Sequence, residues 1–289
     1  MVGGRFERGI ELFLKVVAFT SALSVFLILL FLFVEAYRIV FFVNPFDMLL
    51  GLEWQPTSEN PRYGMLPLIA GSLLVTVCAM LISVPLSIAT AIYLSEIAPW
   101  WLGEMLKPII EILAGIPSVV IGFFALVVVA PAISSIFGVS SGLTALNGAL
   151  MLAIMAVPTI ESIAEDGIRA VPKGLREASL ALGATKWQTI RNVVLPCAMP
   201  CITTGVLLGF GRVIGETMVV LMATGNAAMM PTSLLDPVRT MTATIAAEMG
   251  EVARGTPHYH SLFMLGFLLF VITLAINTMG NMISRRWGR

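Results

Sequence analysis

Six long apolar runs constrain this chain more than any other feature of its sequence. The first, Leu12–Val34, is interrupted only by Lys15 and would extend about 34 Å as an α-helix at about 1.5 Å per residue, enough to cross a bilayer. Only 12% of the residues are charged, against about 25% in soluble domains, and the mean hydropathy is +0.95. We therefore predict an all-α membrane protein with six transmembrane helices, at residues 12–34, 66–94, 107–129, 143–160, 197–224 and 260–283.

The distribution of positive charge predicts the orientation of these helices. Most of the 17 Lys and Arg residues fall in the two terminal segments and in the loop 169–196. Short segments rich in Lys and Arg are retained in the cytoplasm. We therefore predict cytoplasmic N- and C-termini, a multi-pass location in the cell (inner) membrane, and one domain over residues 1–289. The lipid bilayer is the partner that this composition demands, and the formal net charge of zero gives no reason to expect a nucleic acid.

The loop 169–196 is the longest polar interruption between two apolar runs. Its composition predicts a short helix over Arg176–Leu182, a stop at Gly183, and a second helix over Trp187–Val194 that Pro196 ends. We therefore predict a helix–turn–helix at the cytoplasmic membrane surface.

The same loop resembles the "EAA" loop of the permeases of ATP-driven importers. The matching residues are Glu177, Ala178, Ser179, Gly183, Val193, Leu195 and Pro196, with Ser179 and Val193 standing where the family pattern has Ala and Ile. The resemblance implies a type I ABC importer permease fold, in which this coupling loop fits a groove on a separate ATPase. The chain has no G-x-x-x-x-G-K-[ST] motif, so we expect no cofactor in this chain, and ATP with Mg²⁺ on the partner ATPase.

Arg212 and Glu216 are ionisable residues in the middle of the fifth apolar run, where charge is costly and marks a functional site by default. Their spacing of four predicts that they meet on one helix face, which they would share with Gly205 and Gly209. The glycines favour the close approach of another helix. Two interpretations remain open: a structural ion pair, or an Arg212 guanidinium that grips a tetrahedral oxyanion while Glu216 holds it in place.

Three stretches resemble the PstC-type permeases of phosphate-specific importers. They are GRVIGETMVVLMATGN at Gly211–Asn226, GIPSVVIGFF at Gly115–Phe124 and MTATIAAEMGE at Met241–Glu251. The resemblance implies phosphate transport together with a PstA-type permease, a PstB-type ATPase dimer and a PstS-type phosphate-binding protein. The alternatives are a permease for molybdate or sulfate, a membrane scaffold for phosphate signalling, and a secondary transporter, which the coupling loop disfavours.

A stripe of hydroxyl side chains follows the second apolar run. Ser72, Thr76, Ser83 and Ser87 recur at helical spacing and are candidates for the substrate path. The other interpretation is interhelical hydrogen bonding and close packing.

The remaining polar residues predict no catalytic and no metal site. Glu161, Glu165 and Asp166 flank the basic loop and have the pattern of a solvated face, whereas His258 and His260 lie beside Pro257 in a predicted external loop without a third ligand nearby.

Overall fold

The computed structural model describes the backbone of residues 3–287 and the side chains of residues 9–280 and 282. Nearly all of this part of the chain is helical. Its 6 helices long and apolar enough to cross a membrane confirm the predicted all-α fold; they cover Gly9–Phe41, Leu66–Ile97, Ser118–Phe137, Ala145–Arg169, Lys186–Ile214 and Pro257–Gly280. The terminal cations used to predict the orientation, Arg5, Arg8, Arg285, Arg286 and Arg289, lie outside the described side chains.

The described part of the first half of the chain contains six α-helices and a short two-stranded hairpin. Its elements are α1 (Gly3–Tyr37), a 3₁₀ turn (Arg38–Phe41), α2 (Pro45–Leu50), β1 (Trp54–Gln55), β2 (Arg62–Tyr63), α3 (Leu66–Ile92), α4 (Trp100–Gly115), α5 (Ser118–Phe124) and α6 (Ala130–Phe137). The two strands form an antiparallel hairpin in which Trp54 lies opposite Tyr63. We call this end of the bundle the hairpin side.

The second half contributes the centre of the bundle and the coupling loop. Its elements are α7 (Ala145–Arg169), α8 (Lys173–Ala181), α9 (Lys186–Thr189), α10 (Leu195–Ile214), α11 (Met218–Ala223), α12 (Met241–Glu248) and α13 (Pro257–Trp287). We call the end that carries α8 and α9 the loop side. Helix α13 packs against α1 at the edge of the bundle.

Helices α3, α7 and α10 form the core because small residues let their backbones approach closely. A Cβ atom on Gly209 would lie 2.5 Å from Cγ1 of Ile160, and one on Gly205 would lie 3.1 Å from the Ile160 carbonyl oxygen. A Cβ on Gly148 of α7 would likewise lie 3.4 Å from Val75 of α3. Gly205 and Gly209 therefore lie at a helix crossing, as the sequence predicts.

The start of α7 is capped by a distant segment of the chain. The Ala145 and Leu146 amides donate to the carbonyl oxygens of Asp236 and Leu234, at 2.9 and 2.8 Å. The Asp236 carboxylate holds that segment in shape by accepting hydrogen bonds from the Thr232 hydroxyl and from the Thr232 and Ser233 amides. These bonds, first of all the one from the hydroxyl, keep the pKa of Asp236 below its usual value.

Three π-helical turns, Tyr93–Ile97, Ala125–Val129 and Ile190–Val194, each stand just before a proline. The amide that precedes each proline donates to the carbonyl five residues back; the bond from Ala98 to Tyr93, for example, measures 2.7 Å. A proline has no N–H, and its ring clashes with the fourth carbonyl back in an α-helix. At Pro131 and Pro196 the wider π-turn makes room for the ring within a continuing helix, which is one of the recognised causes of helix distortion. At Pro99, by contrast, Ala98 is extended and the helix ends before the proline.

Because a π-turn accommodates Pro196, the prediction that this proline ends the second loop helix is wrong. The helix that begins at Lys186 does not end at this proline but continues through the π-turn Ile190–Val194 into α10, as far as Ile214. The segment counted as the second loop helix is thus the start of a membrane-length helix.

The bounds predicted for the third and fifth spans are also wrong. Residues 107–129 do not form one helix, because Ile116 is extended before Pro117, where the α conformation is disfavoured. Helix α4 therefore ends at Gly115, and the membrane-length helix is Ser118–Phe137. Residues 197–224 are likewise divided, since α10 ends at Ile214 and the short helix α11 follows.

Candidate functional site

Arg212 lies in the last turn of α10, where its half-buried side chain reaches two other helices. Its Nη1 donates to the hydroxyl of Thr159 on α7 at 3.1 Å, and its Nη2 donates to the carbonyl of Ala114 at 3.3 Å. The Ala114 carbonyl belongs to the last turn of α4, where carbonyl groups lack intrahelical partners and the helix dipole attracts a cation. Arg212 thus joins α7, α10 and the end of α4.

The predicted pairing of Arg212 with Glu216 is wrong. Helical spacing of four brings two side chains together only if the helix continues between them, and α10 ends at Ile214. The Glu216 carboxylate turns to the next helix, where its Oε1 accepts hydrogen bonds from the Met218 and Val219 amides at 3.1 and 3.4 Å. It therefore caps the free amides at the start of α11 and leaves Arg212 without its predicted partner.

Within the described part of the chain, no carboxylate lies within 4.0 Å of the Arg212 guanidinium. Its two hydrogen-bond acceptors, a hydroxyl and a carbonyl, are uncharged. A guanidinium offers five N–H donors and stays protonated in proteins. Arg212 is therefore a cation in a membrane-spanning region, with spare donors and with no described side chain that neutralises it.

Glu216 meets part of the hydroxyl stripe at a small polar void on the hairpin side of Arg212. Ser72 and Thr76 of α3 line this void together with Glu216, Thr240 and Thr242. The Thr242 hydroxyl donates to the Glu216 carbonyl at 2.7 Å. The void measures about 10 Å³, no more than one water molecule requires, so a tetrahedral oxyanion does not fit it in this conformation.

The four hydroxyl residues Ser72, Thr76, Ser83 and Ser87 are all buried. Ser87 donates to the carbonyl of Val157 on α7 at 3.2 Å, and Ser72 accepts from the Met241 amide at 2.8 Å. These contacts agree with the interhelical-bonding interpretation of the stripe. The role of the four residues in the substrate path stays a prediction.

Ser72→Ala is expected to destabilise the chain, because it leaves the buried Met241 amide without its acceptor, at a cost of about 1–3 kcal/mol. Ser83→Ala is the matched control, since the only hydrogen-bond contact of the Ser83 hydroxyl with a described residue is a long one of 3.9 Å to the Met80 sulfur. The measurement is the thermal unfolding midpoint of the purified protein in detergent. Equal midpoints for the two variants would contradict the proposed role of Ser72 in fastening α12 to α3.

Three of the predicted coupling residues are exposed in and directly after α8. Glu177 and Ala178 are exposed on α8, and Gly183 adopts the left-handed φ of 86° that ends this helix. The loop holds its shape because the Ser179 and Thr189 hydroxyls lie 2.9 Å apart, which ties α8 to α9. Four large apolar side chains are exposed on the same two helices and the turn between them: Leu175, Leu180, Leu182 and Trp187.

Val193, Leu195 and Pro196, the last three residues of the matched motif, lie at the junction of the π-turn and α10. Val193 and Leu195 are half-buried and Pro196 is exposed. Their placement joins the coupling loop to the helix that carries Arg212.

Of the three acids predicted to form a solvated face, only Asp166 is exposed, which corrects the prediction for Glu161 and Glu165. The side chains of Glu161 and Glu165 are buried, with 2% and 1% of their residue surfaces exposed. The Glu165 carboxylate lies 3.6 Å from Nζ of Lys107 on α4 and 2.5 Å from the Arg169 guanidinium. The ion pair of Glu165 with Lys107 helps hold α4 against α7.

The two histidines are not a loop pair either, since both lie in α13 (Pro257–Trp287). His258 Nε2 lies 2.9 Å from Glu248, whose carboxylate also contacts the Trp54 indole and the Arg239 guanidinium. His260 lies in the first turn of the last membrane helix, where it is buried with its Nδ1 3.2 Å from the Glu35 carboxylate of α1. They fasten helix ends on the hairpin side. Among the described residues, no group of three or more His, Cys, Asp or Glu side chains has the arrangement of a metal site.

Thr159 and the end of α4 are the parts of the Arg212 site that sequence reasoning missed. Thr159 follows Pro158 within an apolar run, which gives a weak signal for a polar contact in the membrane. The Ala114 carbonyl carries no signal in its side chain. Only the proline at position 117 indicates that a helix end lies nearby.

The chain is similar to known membrane components of transporters. The profile of a family described as "Binding-protein-dependent transport system inner membrane component" matches residues 83–289. The chain is 43% identical over 244 residues to the "Probable ABC transporter permease protein YqgH" of Bacillus subtilis (strain 168), covering 84% of this chain and 79% of that protein. It is 38% identical over 257 residues to the "Phosphate transport system permease protein PstC" of Xylella fastidiosa (strain 9a5c), covering 82% and 78%.

Solved structures show the same fold. A chain of the MetNI methionine ABC transporter in an inward-facing conformation superposes with a TM-score of 0.60 at 22% identity, covering 76% of this chain and 94% of that one. A chain of a bacterial ABC transporter involved in the import of alginate superposes with a TM-score of 0.58 at 18% identity, covering 89% and 95%.

Proposed function

This chain belongs to the family of binding-protein-dependent transport system inner membrane components, and we propose that it is the permease subunit of an ATP-driven importer of inorganic phosphate. Relatives named as phosphate permeases at 33% to 39% identity in several bacteria support the choice of anion. The proposed location is the bacterial inner membrane, with both termini and the loop side facing the cytoplasm.

The single observation that carries this function is the Arg212 guanidinium, a membrane-embedded cation without a carboxylate partner among the described residues. An unpaired charge at that depth is costly, so its retention requires a role. Phosphate oxygens match the geometry of a guanidinium and accept two parallel hydrogen bonds from it. The bonds from Arg212 to Thr159 and Ala114 hold the side chain ready and leave donors for the anion.

The energy for transport comes from a separate ATPase. In this proposal ATP binds to that ATPase and not to this chain. Two copies of a PstB-type ATPase bind ATP with Mg²⁺, one against the coupling loop of this chain and one against a PstA-type permease. That permease supplies the other half of the translocation path. A PstS-type phosphate-binding protein delivers the anion to the hairpin side.

Transport then proceeds by alternating access. ATP binding draws the two coupling loops together, and the helices attached to them open the path toward the binding protein. Hydrolysis and release of the products reset the path. The nucleotide drives this cycle because the ATP-bound and the product-released ATPase favour different separations of the two coupling loops. The contacts that differ between these two states therefore lie at α8 and α9.

The deciding experiment is the uptake of radiolabelled phosphate by cells that lack this chain, with and without the native protein restored. Uptake that returns with the native protein and disappears on ATP depletion supports the proposal. Restored uptake of molybdate or sulfate in place of phosphate would change the anion. Unchanged flux of all three anions would contradict a role in transport and favour a signalling scaffold.

A further inference from the structure

The side chain of Arg176 on α8 connects the coupling loop to the ends of two membrane helices. Its Nε and Nη2 donate to Oε1 of Glu96 at 3.0 and 2.7 Å, its Nη2 also donates to the Ile168 carbonyl at 2.8 Å, and its Nη1 donates to the Val171 carbonyl. The side chains of Arg176 and Glu96 are only 20% and 10% exposed. Four hydrogen bonds thus converge on one largely buried guanidinium.

These acceptors belong to different structural elements. Glu96 lies in the π-turn Tyr93–Ile97 that follows α3, whereas Ile168 and Val171 lie at the loop-side end of α7. The carbonyls at a helix end lack intrahelical partners and carry the negative end of the helix dipole, which a guanidinium complements. Arg176 therefore holds α8 against both helices at once.

Glu177, the next residue on α8, lies on an exposed part of the helix. Glu177 is exposed beside the apolar side chains Leu175 and Leu180, whereas Arg176 faces the bundle. Two adjacent residues therefore have separate contacts. Glu177 is available to another protein, whereas Arg176 binds the ends of the membrane helices. One can be changed without the other.

We propose that Arg176, together with Glu96, is the positioning residue that transmits the movement of α8 to α3 and α7. The proposal rests on the function given above, since it requires an ATPase that moves the coupling loop. Helix α7 carries Thr159, the hydroxyl that holds Arg212. A force on α8 thus reaches the anion site through Arg176, the loop-side end of α7 and about 14 Å of rigid helix, at about 1.5 Å per residue.

Charge and burial together make this connection stiff. Hydrogen bonds between a guanidinium and a carboxylate are short and roughly twice as strong as neutral ones. Partial burial strengthens them further, because water competes less for the same groups. Loss of either partner leaves the other as an unpaired charge in a largely buried position. The connection therefore weakens sharply when one side chain is truncated.

The test compares Arg176→Gln and Glu96→Ala in the complete complex, reconstituted in lipid vesicles with the partner permease, the ATPase and the binding protein. Arg191→Gln is the charge-matched control, because Arg191 is exposed in the same loop and its side chain has no hydrogen bond to any described residue. The readouts are co-purification of the ATPase, the stimulation of ATP hydrolysis by phosphate-loaded binding protein, and phosphate uptake.

We expect both variants to retain the ATPase at the native stoichiometry. Stimulation and uptake should fall by roughly tenfold, within the range of about 5–150-fold that coupling between two sites typically spans. Arg176→Lys should recover part of the stimulation, since one ammonium group replaces a planar fork. The double variant Arg176→Gln, Glu96→Ala should be little worse than either single one, because both remove the same contact.

Native stimulation in Arg176→Gln would overturn the proposal. So would loss of the ATPase from that variant, since Arg176 would then only maintain the shape of the docking surface. If the native complex responds to its binding protein yet imports no phosphate, the choice of anion fails, whereas the hydrolysis assay still decides the role of Arg176.

Discussion

Replacement of Arg212 by glutamine is expected to abolish phosphate uptake while the chain still assembles with its partners. Glutamine is shorter than arginine and does not reach both Thr159 and the Ala114 carbonyl, but the close packing of Gly205 and Gly209 against α7 remains, so we expect the chain to assemble. The positive charge is lost. Hydrogen bonds to charged groups contribute about 1.5–3 kcal/mol each, so the loss of two from a bound phosphate should lower transport by at least about 100-fold.

Two further variants separate the charge of Arg212 from its position. Thr159→Val removes one of the two contacts that hold the guanidinium but leaves the charge, so uptake should fall by less than with Arg212→Gln. Arg212→Lys keeps the charge without the planar fork and should give an intermediate rate. The rates are compared at matched amounts of the complete complex in the membrane. Normal uptake by Arg212→Gln would exclude Arg212 from the path, and failure of that variant to assemble would assign it a structural role.

The number of membrane-length helices and the first helix of the coupling loop were predictable because they depend on local composition. Apolar runs of about 20 residues form helices long enough to cross a bilayer, and α8 ends two residues before Gly183, which adopts a left-handed φ. The close approach of Gly205 and Gly209 to another helix also followed from their spacing. In each case, the neighbouring residues along the chain carry enough information.

The contacts of the charged residues were not predictable in the same way. The pairing of Arg212 with Glu216 assumed a continuous helix, but α10 ends at Ile214 and the Glu216 carboxylate caps α11. Glu165 is buried because α4 brings Lys107 to it from a distant part of the sequence. Periodicity describes one helix at a time, so it cannot reveal which other helix supplies the counter-charge.

The π-turn Ile190–Val194 accounts for the error at Pro196. Each of the three π-turns is followed two residues later by a proline, at positions 99, 131 and 196. The helix ends before Pro99, but it continues through Pro131 and Pro196. The cost of a proline inside a helix is local, and a neighbouring wide turn removes much of it. In a membrane, where unpaired backbone groups are especially costly, continuing the helix through such a turn is favoured over ending it.

Glu177→Lys is expected to weaken the binding of the ATPase and thereby to lower phosphate uptake. Glu177 is exposed on α8 among apolar side chains, and its own side chain makes no hydrogen bond or ion pair with the described residues, so the six membrane helices should be unaffected. Reversal of a charge at the centre of an interface costs about 2 kcal/mol or more, which corresponds to an affinity lower by about 30-fold.

The matched control is Glu104→Lys, which reverses the charge of another exposed acid, near the loop-side start of α4 and outside the coupling loop. Affinity is measured by titrating the purified ATPase onto the reconstituted permease pair. A lower affinity for Glu177→Lys but not for Glu104→Lys assigns the exposed face of α8 to ATPase docking. Arg176→Gln should keep the ATPase bound, so the comparison of these two variants separates docking from the transmission of movement. Native affinity and uptake in Glu177→Lys would exclude this residue from the interface and leave the apolar side chains of α8 and α9 to carry it.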